Sequence, residues 1–289
     1  TKETLGNRLT TKFDSREDYE MKLLRPIRII SVLLFSMGIA QVASADTLKL
    51  KLGNEGTYPP FAITATDGTL SGMEPDLARA LCDRMNAECE IVTMDFGALL
   101  PSLIAGKLDM IVSQLTRKPE RMKATQFTRD VLENSAVFVV SQDWNKGFST
   151  DDLNGVRVAV QKGSAHASWI EDNRPEAKPV YYENPNQQKL DLLAGRVDTV
   201  FGAKLNWVAT FIDTPEGDSY KLIPGSSEES LWLLGSRIGA GWAVQKGEIE
   251  LSEKVNAALN SMIKDCTYTK IRLKYLSEPT LTDEPKECL

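Results

Sequence analysis

The sequence predicts an α/β fold made of two similar lobes, each containing a mostly parallel sheet flanked by helices. Apolar strands alternate with amphipathic helices along most of the chain, which is the order that parallel sheets require. A weak internal repeat relates residues 103–112 (LIAGKLDMIV) to residues 192–201 (LLAGRVDTVF). Each copy reads as a helix end, a Gly stop, a basic residue and an Asp before a buried strand. One copy in each lobe would bring two strand ends to a shared cleft, although ordinary helix-to-strand links also share Gly.

The composition is typical of a globular protein and limits the classes of partner. The chain has 289 residues, which is enough for two modest domains. Of these residues 42% are hydrophobic and 26% charged, as in a globular protein. The net charge of −6 argues against nucleic acid or an anionic membrane surface as a partner. A single histidine and the lack of Cys-x-x-Cys spacing argue against a zinc site, and we expect neither a metal nor a cofactor.

Residues 21–45 are interpreted as a secretory signal peptide. The segment has an apolar core at residues 29–40, too short to span a bilayer. Its positive region and its cleavage site are formed by Lys22, Arg25, Arg28 and Ala43-Ser44-Ala45. We therefore expect a mature periplasmic chain that starts at Asp46, with an uncleaved anchor as the alternative. Residues 1–20 are polar, precede a good initiator in Met21, and are interpreted as an upstream extension outside the native protein.

The four cysteines all follow the predicted cleavage site, and an even number in an exported protein favours disulfides. Cys82 lies on a predicted helix and Cys89 begins the next strand, so this pair can close a local loop. A bond between Cys266 and Cys288 would tie the tail back to the last helix. Four free thiols are the alternative, and the sequence leaves the second pairing open.

The first lobe begins with a strand at residues 47–52, where Leu residues alternate with polar ones. A hairpin-like connection is predicted at residues 64–72, with Asp67-Gly68 as its turn. The elements that follow are a helix opened by Pro75 and ended by Asn86, a strand at 90–94, a helix at 98–105 and a strand at 110–112. Residues 127–130 are interpreted as a loop that returns to the sheet.

The chain is expected to cross to the second lobe near residues 133–140 and to return near residues 234–239. The second lobe is predicted to contain strands at 136–140, 156–160 and 180–182 and a helix that starts at about Ser164. After the return come a strand at 242–244, an amphipathic helix at 250–264 that buries Val255, Leu259, Met262 and Ile263, and a last helix at 268–275. The lobes are thus residues 46–135 with 236–289, and residues 136–235.

Polar and aromatic side chains follow several predicted strand ends, which is where open α/β sheets bind ligands. After the strand at 110–112 come the hydroxyls of Ser113 and Thr116 and then Arg121, and Arg can hold a carboxylate with two hydrogen bonds. This stretch predicts a pocket for a small molecule with a carboxylate. The alternative is a polar loop in which Arg121 is a solvated surface residue.

Two further segments are predicted to face this stretch. The loop after the first strand offers the Glu55 carboxylate and two aromatic rings, and the segment Gly163-Ser164-Ala165-His166 opens a helix whose free N–H groups form an anion site. The repeat also predicts that Ser113-Gln114 faces Gly202-Ala203 across the cleft.

These segments together resemble a known family, the extracytoplasmic solute-binding proteins for polar amino acids and opines that serve ABC importers. The resemblance covers the whole mature chain. It is carried, in order, by Glu55-Gly-Thr-Tyr58-Pro-Pro-Phe61, Gly72-Met-Glu-Pro-Asp76-Leu-Ala, Leu100-Pro-Ser-Leu, Gly106-Lys-Leu-Asp109, Thr116 through Arg121, Gln161-Lys-Gly-Ser-Ala-His166 and Gly195-Arg-Val-Asp198. It implies a type II periplasmic-binding-protein fold with the ligand between the lobes, a membrane permease as partner and no catalysis. We also expect a monomer. Cys82 and Cys89 match a local disulfide of the lysine/arginine/ornithine-binding branch.

The resemblance also implies a role for each candidate site residue. Arg121 would pair with the ligand α-carboxylate. The remaining implied contacts are N–H groups at Thr116 and at Ser164–Ala165 for the same carboxylate, Tyr58 and Phe96 on either side of the ligand side chain, and Ser113 or its neighbour's carbonyl for the amino group.

One position departs from the basic-amino-acid binders that the chain resembles. Those proteins have an Asp on the second lobe for the α-ammonium, whereas this chain has Ala203 there, and a buried ammonium without a partner is costly. Glu55 and His166 match the opine-binding branch instead, although Glu55 as a loop charge and His166 as a cap or packing residue are alternatives. The predicted ligand is therefore an opine or another N-substituted amino acid. The alternatives are an ordinary binder of Arg, Lys, His, Glu or Gln, and a secreted enzyme resembling cyclohexadienyl dehydratases.

Overall fold

A computed structural model describes residues 47–144, 148–224 and 239–289. These residues all belong to one compact unit, Asp46–Leu289. The predicted signal peptide and upstream extension lie outside the described residues, as does most of the predicted return crossing near residues 234–239.

The elements of the described residues are numbered here in chain order. The strands are β1 Leu48–Asn54, β2 Thr57–Tyr58, β3 Ala62–Thr64, β4 Leu70–Ser71, β5 Ala87–Thr93, β6 Met110–Thr116, β7 Thr125–Glu133, β8 Ala136–Ser141, β9 Arg157–Gln161, β10 Lys178–Tyr182, β11 Thr199–Ala203, β12 Tyr220–Pro224 and β13 Gly239–Gln245. The α-helices are α1 Met73–Met85, α2 Phe96–Ile104, α3 Pro119–Ala124, α4 Ala165–Asn173, α5 Pro185–Leu193, α6 Lys204–Trp207, α7 Ile249–Lys264 and α8 Thr267–Arg272. A π-helical turn, Val208–Ile212, continues α6, and short 3-10 turns lie at Pro215–Gly217 and Lys286–Cys288.

The strands form two five-stranded sheets and one small antiparallel sheet. The first sheet has the order β5-β1-β6-β13-β7 and the second β10-β9-β11-β8-β12, while β2, β3 and β4 form the small sheet. In each large sheet the first three strands are parallel, and the other two join through antiparallel pairs. This is the two-lobed, mostly parallel arrangement that the sequence predicts.

Alternate side chains of each central strand pack on opposite faces of the sheet, as the period of two requires. On β6, Met110 and Val112 contact the core under α1 and α7, whereas Ile111 packs with Leu99 of α2 on the other face. The second sheet follows the same rule, with Val158 and Val160 in one core and Ala159 in the other. Both sheets are therefore covered on both faces.

The two copies of the internal repeat have the same local structure. Gly106 and Gly195 both adopt a left-handed conformation at the end of a helix, with φ of 70° and 66°. The Asp109 carboxylate accepts a hydrogen bond from the Lys51 backbone N–H at 2.7 Å, and Asp198 accepts one from the Arg157 N–H at 2.7 Å. Each Asp thus ties the start of one strand to its neighbour in the sheet, which explains why the repeat keeps it.

Several element boundaries differ from the sequence prediction. Strand β6 does not end at Val112 but continues to Thr116, because its polar second half pairs with β13. The loop interpretation of residues 127–130 is wrong, since they lie inside β7. Helix α1 begins at Met73 rather than Pro75, and Pro75 lies in the first turn, where its missing N–H costs nothing. Asn86 ends α1 in a left-handed conformation, as predicted.

The expected disulfide Cys82–Cys89 is present, and Cys266 pairs with Cys288, the bond that the sequence left open. The first joins α1 to β5, and the second joins the residue before α8 to the C-terminal 3-10 turn. The inward residues predicted for α7, from Val255 to Ile263, are buried. Among the described residues, no helix has both the length and the apolar character needed to cross a membrane.

Candidate functional site

A cavity lies between the two large sheets. The first lobe lines it with Glu55, Tyr58, Phe96, Gln114, Thr116 and Ala240, and the second with Ala136, Gln161, Ser164, Ala165, His166 and Ala203, while Asn134 of the connecting segment lies between them. Most of the predicted site residues therefore meet in one place. Ser113, Arg121 and Gly163 are not lining residues but neighbour residues that are. Ser113 is hydrogen-bonded to Glu55 and Arg121 to Thr116, and Gly163 precedes Ser164 in the chain.

Arg121 is buried, with 6% of its surface exposed, and its hydrogen bonds go to carbonyl oxygens. Its Nη1 donates to the Thr116 carbonyl at 2.9 Å, and its Nη2 crosses to the other lobe and donates to the Gly163 carbonyl at 2.8 Å. The guanidinium also lies 5.9 Å from the centre of the Phe96 ring. Burial lowers the pKa of Arg121 to about 10, so the group is still a cation at neutral pH. A buried cation held by carbonyls is a good partner for a ligand carboxylate.

Helix α3 explains why Arg121 points inward. Pro119 opens this short helix after β6, and Arg121 is its buried residue. The sequence analysis assigned no helix to this stretch, so α3 was missed, although the Lys-Pro-Glu-Arg pattern carries the signal of a helix start.

Two carboxyl groups lie buried at the other end of the site. Glu55 and Glu74 each have 4% of their surface exposed. The Gln161 side chain donates to Glu55 Oε2 across the cleft at 2.7 Å, and the Asn54 amide donates to Glu74 Oε2 at 3.2 Å. Burial raises the pKa of Glu55 to about 8, and burial together with the Glu55 charge raises the pKa of Glu74 well above its usual value. A cation placed between these carboxyl groups would relieve both effects, so this end of the site favours one.

Glu74 was not predicted as part of the site. It occupies the second position of α1, and its Oε1 is buried with no hydrogen-bond partner among the described residues. The Asn54 amide that holds it also donates to the Val112 carbonyl at 2.6 Å. A carboxylate in the first turn of a helix is ordinarily a favourable surface charge, and so the helix position of Glu74 does not by itself predict a site residue.

Tyr58 and Phe96 line the cavity, and Ser113 supports the loop beside it. The Ser113 hydroxyl is buried and accepts a hydrogen bond from the Glu55 backbone N–H at 3.1 Å, which fixes the loop that carries Glu55. Tyr58 and Phe96 are both 8% exposed. Tyr58 of the first lobe and Ala203 of the second both line the cavity, so this ring lies where the two lobes meet. Flat apolar walls of this kind suit the methylene chain of a ligand.

His166 lines the cavity as a neutral imidazole. Burial, reinforced by the Arg121 charge, lowers its pKa to about 4. Its ring packs edge-on against Phe201, with 5.2 Å between the ring centres. The cap of α4 is instead the Ser164 hydroxyl, which accepts from the Ala167 N–H at 3.0 Å. His166 therefore combines packing with a place in the cavity wall and does not cap the helix.

The cavity lining at Ala203 and its strand neighbour Ala136 is uncharged. Ala203 on β11 pairs with Ala136 on β8, and both line the cavity. Among the described residues that line it, Glu55 is the only carboxylate. Asn134, which sequence reasoning missed, closes this corner from the connecting segment and hydrogen-bonds to Gln114 at 3.2 Å.

The site therefore has the Arg121 guanidinium beside one end and carboxyl groups, which a bound cation would ionise, at the other, with aromatic walls between them. Such a cavity can bind a molecule that has a carboxylate and a cationic group. No group of side chains suited to hold a metal ion occurs in the part of the chain that the structure describes.

Comparisons with known proteins agree with this geometry. The model of a family described as bacterial extracellular solute-binding proteins, family 3, matches residues 50–278. ABC transporter arginine-binding protein 1 of Escherichia coli strain K12 is 36% identical over 226 residues, which are 77% of this chain and 88% of that protein.

Solved structures give the same result. An ancestral arginine-binding protein bound to arginine is 31% identical, with a TM-score of 0.71, over 79% of this chain and 98% of its own. An ancestral amino acid-binding protein, a precursor of cyclohexadienyl dehydratase, is 28% identical, with a TM-score of 0.67, over 78% of this chain and 95% of its own. The chain therefore has the type II periplasmic-binding-protein fold and belongs to family 3 of the bacterial extracellular solute-binding proteins.

Proposed function

We propose that this protein captures an amino-acid-type ligand in the periplasm and delivers it to an ABC permease. The observation that carries the proposal is a buried guanidinium on one side of the cavity and, on the other, a buried carboxyl group that a bound cation would ionise. Arg121, held by carbonyls at 2.8–2.9 Å, would pair with the ligand carboxylate, and Glu55 would pair with a cationic side chain. A ligand such as arginine or an arginine derivative satisfies both ends.

Ala203 favours a ligand whose α-nitrogen is substituted, as in an opine. A free α-ammonium buried beside Ala203 would find no carboxylate in the cavity lining other than Glu55, which this proposal assigns to the side chain. The alternative within the same function is an ordinary basic amino acid, and the arginine-binding relatives support it. In that case carbonyls or water would have to satisfy the ammonium.

Calorimetric titration of ligand-stripped protein against free amino acids and N-substituted amino acids tests the proposal. We expect one-to-one binding, tightest for arginine derivatives. The Arg121→Ala variant should lose about 3–5 kcal/mol of binding free energy, because it leaves a buried carboxylate unpaired. The Arg79→Ala variant, which removes a side chain that is 49% exposed on α1, should bind normally. Near-wild-type affinity in Arg121→Ala would contradict the proposal.

A second candidate function is a dehydratase on the same fold. Burial raises the pKa of Glu55 to about 8, so the group is protonated at neutral pH, as a general acid must be. Turnover of prephenate or arogenate by the purified protein, lost in the Glu55→Gln variant, would support this candidate. Binding without turnover would leave the transport function.

A further inference from the structure

The backbone N–H of Leu205 fixes the orientation of two side-chain amides near Ala203, those of Asn134 and Gln114. The N–H of Leu205 can only donate, and its partner is Asn134 Oδ1 at 3.1 Å. The other end of that amide, Nδ2, donates to Gln114 Oε1 at 3.2 Å. Turning Gln114 around would set two NH2 groups against each other, and turning Asn134 would set its NH2 against the Leu205 N–H.

The Nε2 of Gln114 is therefore a hydrogen-bond donor by necessity. This atom is buried and has no acceptor among the described residues. Gln114, Asn134 and Ala203 all line the cavity, and Lys204, next to Ala203, donates its N–H to the Ser135 carbonyl at 2.7 Å. The connecting segment and the end of β11 thus hold this donor at the corner where the carboxylate partner of an ammonium is missing.

A ligand ammonium at this corner would place its N–H donors against the Gln114 Nε2 donor. A ligand acceptor oxygen would instead accept a hydrogen bond from that amide. We propose that the Leu205–Asn134–Gln114 chain of hydrogen bonds selects ligands whose α-nitrogen carries a substituent with an acceptor oxygen, such as a carboxylate or an acyl carbonyl. This inference rests on the proposed function, since it assumes that a carboxylated, cationic ligand occupies the cavity. It separates N-carboxyalkyl and N-acyl amino acids from free and N-alkyl ones.

Four ligands that share the arginine side chain and carboxylate test the inference by calorimetry: arginine, Nα-methylarginine, Nα-acetylarginine and Nα-(1-carboxyethyl)arginine. The two ligands with an acceptor on the substituent should bind at least tenfold more tightly than the other two. Equal affinity for the methyl and acetyl derivatives would overturn the inference.

The Asn134→Asp variant reverses the hydrogen bonds without changing the shape of the site. The introduced carboxylate still accepts from the Leu205 N–H but offers Gln114 a second oxygen, so Gln114 must turn its Nε2 away from the ligand and present Oε1. We expect the ratio of the affinity for Nα-acetylarginine to the affinity for Nα-methylarginine to fall at least tenfold. Ser135→Asp, on an exposed neighbour, adds the same charge outside this chain of hydrogen bonds and should leave the preference intact.

The Gln114→Met variant covers the case in which Asn134→Asp does not fold. It removes the Nε2 donor while keeping the length of the side chain. The two ligands Nα-acetylarginine and Nα-methylarginine should then bind with similar affinity. An unchanged preference in either variant would overturn the inference but leave the proposed function standing, provided that arginine or a derivative binds. If none of the four ligands binds, the proposed function and the inference both fail.

Discussion

Glu55 and Arg121 are buried residues that each make a hydrogen bond across the cleft, Glu55 with the Gln161 side chain and Arg121 with the Gly163 carbonyl. Neither bond joins opposite charges, so both groups remain available for a charged ligand. This arrangement costs stability in the ligand-free protein, because buried charges without counter-ions are unfavourable.

The cost at Glu55 depends on pH. Burial raises the pKa of this carboxyl from 4.5 to about 8, so between those values the folded protein binds a proton that the unfolded chain has released. The contribution of Glu55 to the free energy of unfolding is fully present below pH 4.5 and is lost as the pH rises through 8. The pKa of His166 is lowered from 6.5 to about 4, so its contribution makes the free energy of unfolding rise with pH. This effect is confined to pH values below 6.5.

We therefore expect the ligand-free protein to lose about 2 kcal/mol of unfolding free energy from Glu55 between pH 6.5 and 8, at about 1.4 kcal/mol for each pH unit. Urea unfolding at several pH values in this range measures the loss. Glu55→Gln keeps the size of the side chain and should flatten the curve, leaving only the contribution of Glu74. Parallel curves for the two proteins would contradict the raised pKa.

Single residues also show how far the sequence could be read. Arg121 was predicted from its side-chain chemistry after the end of a strand, and Ser164 from the free backbone N–H groups at the start of a helix. Glu74 and Asn134 were missed because their importance comes from burial and from partners 20 and 71 residues away, Asn54 and Leu205. No local pattern reports such contacts.

At the scale of elements, the repeat gives the clearest comparison. Positions 103–110 and 192–199 show the same order of buried and exposed residues. The hydrogen bond from Asp109 or Asp198 to a backbone N–H also has the same length in both lobes, 2.7 Å. Asp198 additionally pairs with the Arg157 guanidinium at 2.6 Å.

We expect Asp109→Ala and Asp198→Ala each to lower the free energy of unfolding by about 1–3 kcal/mol, since each leaves a strand N–H without its charged acceptor. Asp198→Ala should cost up to about 1 kcal/mol more, because its pair with Arg157 is partly exposed and thus worth little. Urea unfolding measures both values. The Asn variants keep an acceptor oxygen and should recover most of the loss at position 109 but less at position 198. A neutral Ala variant in either lobe would show that the repeat has no shared structural role.

The order of strands and helices followed from hydrophobic periodicity, and the repeat predicted two lobes. The ends of elements were harder to predict. Strand β6 continues to Thr116 through polar residues because β13, more than 120 residues later, supplies its partner strand. Helix α6 and strand β12 lack a strong period or clear start signals, and their positions depend on tertiary packing.

At the scale of the whole molecule, the lobes lie in a closed arrangement. Contacts that cross the cleft include Gln161 with Glu55, Arg121 with Gly163, and the Asn206 amide with the Pro59 carbonyl. A ligand that contacts both lobes would stabilise this form relative to an open one, because only the closed form brings both half-sites together.

Gly163 offers a direct test of closure. It lies on the second lobe with φ of +71°, and a Cβ there would come within 3.0 Å of the Gly97 Cα on the first lobe. Gly155, on the same lobe, has φ of +70° but no atom within 4 Å of a Cβ.

Ala at either position should cost about 1 kcal/mol of stability through the left-handed backbone. Only Gly163→Ala should also hinder closure, and we expect it to weaken binding of the best ligand about tenfold. Calorimetry gives the affinity, and small-angle scattering should show a smaller ligand-induced compaction than in Gly155→Ala. Equal affinity and compaction in the two variants would mean that the contact between Gly97 and Gly163 does not limit closure.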